Sequence, residues 1–236
     1  MHAVIFEVRP LATSFASYLS IAKSLKPELE AVPGFLENIR YKSLTRPGWL
    51  LSLSYWSNEK ALVRWRTKEK HHAAQEKGRE GILEEYYLKV GQVMGERRGG
   101  ETVSEEHISS SPVQVEETEV GRAKMVVLVD GLRVEDGDGE DMDPVKIARD
   151  MGLDDPGQHD NLVAWDVMDA VLSPGDMILL TSWVDAAAAG LFVDKVCATG
   201  RGLRARSVGI VRDYGKYDRR EAPQFYEDAQ GRETIH

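Results

Sequence analysis

The segment WRTKEKHHAAQEKGR, which begins at Trp65 and ends at Arg79, combines side chains that could act together on a small molecule. His71 and His72 are candidate general bases, because an imidazole titrates near neutral pH. Gln75 and Arg79 carry amide and guanidinium donors that would stabilise a developing anion, and Trp65 would line the pocket. Helices rich in Lys and Glu also carry solvent-facing histidines, and a tryptophan often belongs to the core. These residues alone leave both interpretations open.

Which histidine faces inward depends on whether one continuous helix carries both. On an ideal helix Asn58, Trp65 and His72 are spaced seven residues apart and share one face. His71 then points about a third of a turn away, and a break near Thr67 would bring it inward instead. The sequence predicts one inward histidine without deciding between the two.

These side chains belong to the first of two similar halves. The runs SLTRPGWLLSLSYWSNEKALVRW, from Ser43, and AVLSPGDMILLTSWVDAAAAGLF, from Ala170, align at a constant offset of 127 residues. Each contains a Pro-Gly pair between two β-rich stretches, which predicts a hairpin, and each then enters a helix. Asn58 and its counterpart Asp185 precede these helices and are predicted N-caps.

Both halves predict the order β-α-β-β-α-β of a ferredoxin-like unit. The predicted domains are 1–97 and 122–212, joined by a flexible linker at 98–121 that is rich in Gly, Ser and Glu. The hairpin strands carry apolar residues on both faces, so each sheet needs a second sheet as well as its own helices. We predict an α+β fold in which the two units pack sheet to sheet as a pseudo-dimeric barrel. The alternative is that each half pairs with another molecule.

The second half lacks the polar set of the first. Trp65 aligns with Phe192, whereas His71 and His72 align with Ala198 and Thr199. A single chemical site would therefore lie in the first half, and the second half would complete the barrel.

The first half resembles the antibiotic biosynthesis monooxygenase (ABM) family of the dimeric α+β barrel superfamily. The resemblance is carried by GFLENIRYKSL, PG, LLSLSYW, NEKAL, WR, HHAAQ, GR and YYLKV, between Gly34 and Val90. Members usually dimerise to close a barrel, which a chain with a divergent second copy could do internally. Some members oxidise polycyclic phenols or quinols without metal or flavin, others degrade haem, and others have no assigned reaction.

The resemblance implies a cofactor-independent monooxygenase that acts on a small aromatic or polyketide-like substrate and O2. His72 or His71 would remove a phenolic proton, so that the electron-rich anion could reduce O2. Tyr41 and Tyr55 are predicted pocket walls contributed by the sheet. Two other classes stay open: a non-catalytic small-molecule binding protein, and an isomerase-type relative that moves protons without O2.

Other cofactors have little support in the sequence. Haem-degrading relatives use an Asn on the first strand, which AVIFEV lacks, and an axial histidine where Gln75 stands ten residues after Trp65. The acidic loop EDGDGEDMD lacks the glycine and the twelfth-position ligand of a calcium loop, and no Gly-rich phosphate motif occurs. The single cysteine, Cys197, excludes a thiolate zinc site. We predict neither a metal nor a cofactor.

Composition limits the partners and the compartment. The chain has 30 Lys and Arg against 39 Asp and Glu, a net charge of −9 that argues against nucleic acid and anionic membranes. No signal peptide or membrane span is recognisable, which predicts a cytoplasmic protein. The tail at 213–236 interleaves aromatic and charged residues, and Pro223 favours an extended strap. We expect it to pack on the barrel or on a partner subunit of a homo-oligomer, and it could also cover the pocket.

Overall fold

The structure, a computed structural model, describes residues 1–99, 117–134 and 142–223. Most of the predicted linker, most of the acidic loop, and the tail beyond residue 223 lie outside the described residues. The first half has the predicted order, with its second helix in two pieces. Its elements are β1 (His2–Pro10), α1 (Phe15–Glu30), β2 (Phe35–Ser43), β3 (Leu50–Trp56), α2 (Glu59–Arg66), α3 (Glu69–Lys77), a π-helical turn (Gly78–Ile82) and β4 (Leu83–Arg98).

The second half repeats this order, with a short first helix. Its elements are β5 (Met125–Arg133), α4 (Pro144–Asp150), β6 (Leu162–Ala170), β7 (Asp176–Trp183), α5 (Ala186–Ala198) and β8 (Arg204–Gly215). Among the described residues, no helix has both the length and the apolar character that a membrane span requires. The element order confirms the predicted α+β class.

The eight strands close into one barrel within the chain. Their order around it is β1-β3-β2-β6-β7-β5-β8-β4, so each half contributes a four-stranded sheet. Ile5, Leu51 and Leu53 of the first half share one buried cluster with Leu128 and Ile178 of the second half. Each sheet covers the inner face of the other, which confirms the predicted pseudo-dimeric barrel. Closure of the barrel does not require another molecule.

The turn glycines and the helix N-caps lie at the positions that the sequence predicts. Gly48 and Gly175 follow the two prolines with φ of +80° and +94°, a backbone conformation that favours glycine in a turn. Asn58 and Asp185 each accept a hydrogen bond from the backbone N–H three residues later, at 3.0 and 2.8 Å. The predicted hairpins and N-caps are confirmed.

The two halves meet at two seams of unequal length. Strands β4 and β8 pair along most of their length, whereas β2 and β6 pair only between residues 41–43 and 168–170. Arg46 reinforces the short seam. Its guanidinium lies 2.5 Å from the Glu7 carboxylate in the first half and 2.7 Å from the Asp166 carboxylate on β6. Side-chain ion pairs therefore hold the halves together where the backbone ladder is short.

The long seam depends on a close approach at Gly91 of β4. A Cβ at this position would lie 2.4 Å from the carbonyl oxygen of Gly209 and 2.6 Å from the Val208 side chain. We expect Gly91→Ala to lower the free energy of unfolding by about 1–3 kcal/mol, because the two strands must separate to admit a methyl group. Gly95→Ala on the same strand is the matched control, since nothing lies within 4 Å of its Cβ position. Equal midpoints for both variants in urea denaturation would contradict the close approach.

The described part of the C-terminal tail packs on the barrel. Strand β8 runs to Gly215, so the segment predicted as tail begins inside a strand. Residues 218–223, the strap, are fastened by the Glu221 carboxylate. It accepts hydrogen bonds from the Thr118 hydroxyl at 2.7 Å and from the backbone N–H of Asp213 at 2.6 Å. Thr118 belongs to the end of the predicted linker, and this end is therefore held against the strap.

Candidate active site

A cavity of about 1530 Å³ lies between the outer face of the first-half sheet and the helices that cover it. Helices α1, α2 and α3 form its roof, and β1 to β4 form its floor. Its apolar walls include Val4, Phe6, Leu25, Leu62 and Val90. The space is ample for a small organic molecule, and the predicted one-sided site thus coincides with a cavity in the first half.

The floor carries polar side chains where a helix-covered sheet face is ordinarily apolar. Asn38 and Arg40 of β2 lie opposite Ser54 and Ser52 of β3, and all four line the cavity. The counterparts 127 residues later are Trp165, Val167, Thr181 and Leu179. In the second half, Val167 and Leu179 are completely buried in the core beneath α5. Polar residues therefore line a cavity in one half at positions where the other half has a filled core.

The polar stripe of Asn38, Arg40, Ser52 and Ser54 is visible in the sequence, although no prediction was drawn from it. Alternate positions of β2 and β3 are polar in the first half, and the aligned positions of the second half are mostly apolar. Because residues two apart on a strand share a face, the difference by itself predicts a solvent-lined floor.

The helix that carries the two histidines is broken, as one of the two alternatives predicted. Helix α2 ends at Arg66, and α3 begins at Glu69. The His71 ring stacks on Trp65 with centroids 4.2 Å apart and planes inclined by 18°. His72 also lines the cavity, but its side chain is 26% exposed and its Nδ1 lies 3.8 Å from the Glu76 carboxylate. Trp65 and His72 lie on separate helices, so the single-helix face expected for them does not apply, although both line the cavity.

His71 is held in its neutral form. Its Nδ1 lies 3.1 Å from the backbone carbonyl oxygen of Trp65. Since a carbonyl oxygen only accepts, Nδ1 carries the ring proton and Nε2 carries the lone pair. Burial lowers the pKa of His71 to about 4, against the backbone carbonyls of Trp65 and Arg66, which raise it. At neutral pH the imidazole is therefore uncharged, with one nitrogen fixed and the other able to accept a proton.

Helix α3 is positioned by contacts at both ends. Glu28 of α1 accepts hydrogen bonds from Lys68 and Lys70 at 3.0 and 2.5 Å, which ties the start of α3 to α1. The π-helical turn follows its end, and such turns often occur at functional sites. Gln75 on α3 and Arg79 on this turn both line the cavity. The structure thus brings Gln75 and Arg79 to the cavity that His71, His72 and Trp65 also line.

Tyr41 and Tyr55 do not line this cavity, which corrects their prediction as pocket walls. Both belong to the buried cluster inside the barrel, where the Arg206 guanidinium lies 4.6 Å from the centre of the Tyr55 ring. The physical reason is strand parity. Arg40 and Ser54, their neighbours in sequence, face the cavity, so Tyr41 and Tyr55 face the opposite side of the sheet.

The second half does contribute to the site, which the comparison of the two halves did not predict. Arg212 and Tyr214 of β8 line the cavity, as do Arg219 and Ala222 of the strap. These residues reach the first-half sheet because β8 lies beside β4 when the barrel closes. No local pattern in the sequence encodes that proximity.

The donors available to a metal or cofactor are few. Across the described ranges, no three His, Cys, Asp or Glu side chains come together as a metal site requires. A haem iron bound to His71 would need the Nε2 lone pair, since Nδ1 is engaged with the Trp65 carbonyl. General-base chemistry and iron ligation would therefore compete for the same atom.

Comparison with known sequences identifies relatives of the chain. Residues 1–77 match a family described as antibiotic biosynthesis monooxygenase. The chain is also 52% identical over 229 residues to a protein of Pyricularia oryzae named jasmonate monooxygenase. That alignment covers 97% of this chain and 100% of the relative.

Comparison with solved structures finds similar chains at low sequence identity. A crystal structure of aldoxime dehydratase in complex with butyraldoxime superposes with a TM-score of 0.55 at 10% identity, over 92% of this chain and 80% of that chain. A crystal structure of an antibiotic biosynthesis monooxygenase covers 40% of this chain and 100% of its own, with 14% identity and a TM-score of 0.37. The first similarity spans both halves, and at this identity it concerns the fold alone.

Proposed function

The chain belongs to the antibiotic biosynthesis monooxygenase family, and on that basis we propose that its first-half cavity oxidises a small organic substrate with O2, with His71 as general base. The observation that carries the proposal is the state of His71. It is neutral, stacked on Trp65, fixed through Nδ1, and lines a cavity. A base in this state can accept a substrate proton at Nε2.

The first candidate substrate is jasmonate, the compound in the name of the relative that aligns with 97% of this chain. A second candidate is the small aromatic or polyketide-like molecule expected from the sequence. It is favoured by aromatic side chains from four elements that line the cavity, namely Phe6, Tyr18, Trp65 and Tyr86.

We further propose that the reaction needs no metal, flavin or haem, so that the substrate supplies all of the electrons. The balanced reaction then converts a CH2 group and O2 into a carbonyl group and water. His71 removes one proton from the carbon, and the resulting carbanion reduces O2 to form a C–O bond and, after protonation, a hydroperoxide. Loss of the second C–H proton cleaves the O–O bond, gives the ketone and releases hydroxide, which becomes water.

The other lining residues have roles that follow from their chemistry. Gln75 and Arg79 donate hydrogen bonds that would stabilise the carbanion and the peroxide anion. An anion beside the imidazolium also raises the pKa of His71 during the reaction, which makes a residue with a low resting pKa an adequate base. Trp65 keeps the imidazole ring oriented by stacking.

Oxygen uptake tests the proposal directly. We expect purified protein without a Soret or flavin absorption band to consume O2 with jasmonate, and to yield a product that has gained one oxygen and lost two hydrogens. A hydroxylated product formed only with NADPH would overturn cofactor independence, because hydroxylation takes two electrons from an external reductant. The same assay with an anthrone, which carries such a CH2 group, tests the second candidate. Isomerised product without O2 uptake would instead indicate an isomerase. Binding without turnover would indicate a non-catalytic small-molecule binding protein.

A further inference from the structure

Arg66, the last residue of α2, carries a buried donor that the described structure leaves unused. Its Nε is inaccessible to solvent and has no hydrogen-bond partner among the described residues, and the side chain lines the cavity. An unpaired buried donor on a charged group destabilises the protein unless a ligand satisfies it. A guanidinium presents its Nε–H and Nη–H groups as a planar fork that matches the two oxygens of a carboxylate.

Two further arginines line the same cavity. Arg212 of β8 pairs with Val90 of β4, and Arg219 of the strap lies 5.9 Å from the centre of the Tyr214 ring. Arg219 also donates a hydrogen bond of 2.5 Å to the Tyr86 hydroxyl. Arg212 and Arg219 therefore lie near Tyr214 at the edge of the cavity formed by β4, β8 and the strap, and Arg66 lines the same cavity.

The electrostatics of Tyr214 agree with this placement. Burial raises the pKa of Tyr214 and Tyr86 adds to the increase, whereas Arg66, Arg219 and Arg212 act to lower it. Because the three arginines line the same cavity as Tyr214, they give this part of the cavity a positive charge.

The carboxylates at this edge have other partners or lie at the surface. Glu221 already accepts hydrogen bonds from the Thr118 hydroxyl and from the backbone N–H groups of Glu119, Val120 and Asp213. Glu117 and Glu119 also line the cavity, but both residues are exposed. Among the described residues no carboxylate forms an ion pair with Arg66, which leaves its buried Nε–H for a ligand.

Arg40 is the other cavity-lining arginine with a buried, unpartnered Nε. It lies on β2, four strands from β8 in the barrel, and its guanidinium donates to the Ala22 carbonyl oxygen at 3.4 Å. Arg66 follows Trp65 directly, and its backbone carbonyl acts on His71. Arg66 is therefore the arginine nearest in the chain to the proposed base.

We propose that the cavity recognises an acidic substrate, whose carboxylate forms a bidentate ion pair with Arg66 at the edge shared with Arg212, Arg219 and Tyr214. This inference rests on the proposed function for the reaction, but it concerns recognition, which can be measured without turnover. It makes Arg66 a specificity-determining residue and gives the second half a role in binding through β8 and the strap.

Anaerobic calorimetric titration with acid and ester pairs tests the inference. The probes are jasmonate against methyl jasmonate, and naphthoate against methyl naphthoate. We expect at least one acid to bind at least about tenfold more tightly than its ester, with an affinity that falls as salt rises. Arg66→Gln should weaken binding of that acid by about 10- to 100-fold and leave its ester unchanged. Arg64→Gln, on the exposed side of the same helix, is the matched control and should change neither.

Arg66→Lys keeps the charge but removes the fork, so it should lose part of the acid affinity while retaining the fold. Thermal melting of each variant separates lost binding from unfolding. Equal affinity for acid and ester in both pairs, no binding of either acid, or an equal loss for acid and ester in Arg66→Gln would overturn the inference. Acid binding that depends on Arg66 without O2 uptake would support it and reject the proposed oxygenase. Turnover of the ester as fast as the acid would support the proposed oxygenase and reject recognition of the carboxylate.

Discussion

His71→Gln is expected to lower kcat by about 10²- to 10⁴-fold while leaving the fold intact, because it removes the nitrogen that accepts the substrate proton. Glutamine keeps a polar side chain of similar reach, so the Trp65 stack is the principal contact that changes. The measurement is steady-state O2 uptake with whichever candidate substrate the wild-type protein turns over, together with circular dichroism and thermal melting to verify folding.

The matched control is His72→Gln. His72 also lines the cavity, but its side chain is partly exposed and approaches Glu76. We expect this change to have little effect on kcat. Loss of activity in His72→Gln with full activity in His71→Gln would transfer the role of base to His72 and refute the assignment drawn from the helix break.

The pH dependence gives a second signature of His71. Its pKa is lowered to about 4, so the neutral, active form dominates above that pH and is lost below it. We expect kcat/KM to be constant from about pH 8 to pH 5 and to fall with a midpoint near 4, since this parameter reports the free enzyme. The residual activity of His71→Gln should lack that midpoint. An unchanged profile in the variant would show that another group controls the rate.

Arg46→Met is expected to lower the free energy of unfolding by about 2–4 kcal/mol, the largest effect on stability that we predict. Glu7 and Asp166 are 6% and 1% exposed, and Arg46 contacts both carboxylates. Removing the cation leaves two buried carboxylates with one fewer partner, and it also removes a guanidinium that lies 4.8 Å from the centre of the Trp49 ring. The loss is below that of a fully buried pair because Arg46 is one-third exposed.

The control for Arg46 is Arg133→Met. Arg133 and Asp176 form an ion pair 2.5 Å long with both side chains about half exposed, so its loss should cost less than about 1 kcal/mol. Adding Asp166→Asn to Arg46→Met should recover part of the stability, because the buried Asp166 charge is then removed while Glu7 keeps its ion pair with Lys89. Urea denaturation of each variant gives the comparison. Equal losses in Arg46→Met and Arg133→Met would show that burial of the network is unimportant.

Acid should narrow the difference between the wild type and Arg46→Met. Burial would raise the pKa of Glu7, but Lys89 and Arg46 together hold it below its ordinary value. A carboxylate whose folded pKa is depressed contributes stability above its unfolded pKa and loses that contribution as the pH falls. Arg46 accounts for part of this contribution. The gap between the two proteins should therefore narrow as the pH falls through the lowered folded-state pKa of Glu7.

The fold could be predicted from the sequence because its signals are local or repeat at a fixed spacing. Pro47 and Pro174 mark corresponding turns in the two halves, and Asn58 and Asp185 cap the corresponding helices α2 and α5. Apolar residues on both faces of the hairpin strands predicted the second sheet. The candidate site was predicted less well. Trp65, His71, His72, Gln75 and Arg79 were predicted to share a site and do line one cavity. Tyr41 and Tyr55 were assigned to the wrong face of the sheet.

The amino-acid sequence by itself determined the two similar halves, their turns and caps, and the presence of the histidines in one half only. Such features depend on residue type and on spacing within about twenty residues. Three features were decided by the tertiary structure alone: the orientation of His71, the inward position of Tyr41 and Tyr55, and the contribution of β8 and the strap to the cavity. They depend on the helix break, the strand register and barrel closure. Long-range pairing fixes all three, and no single segment encodes its own partner.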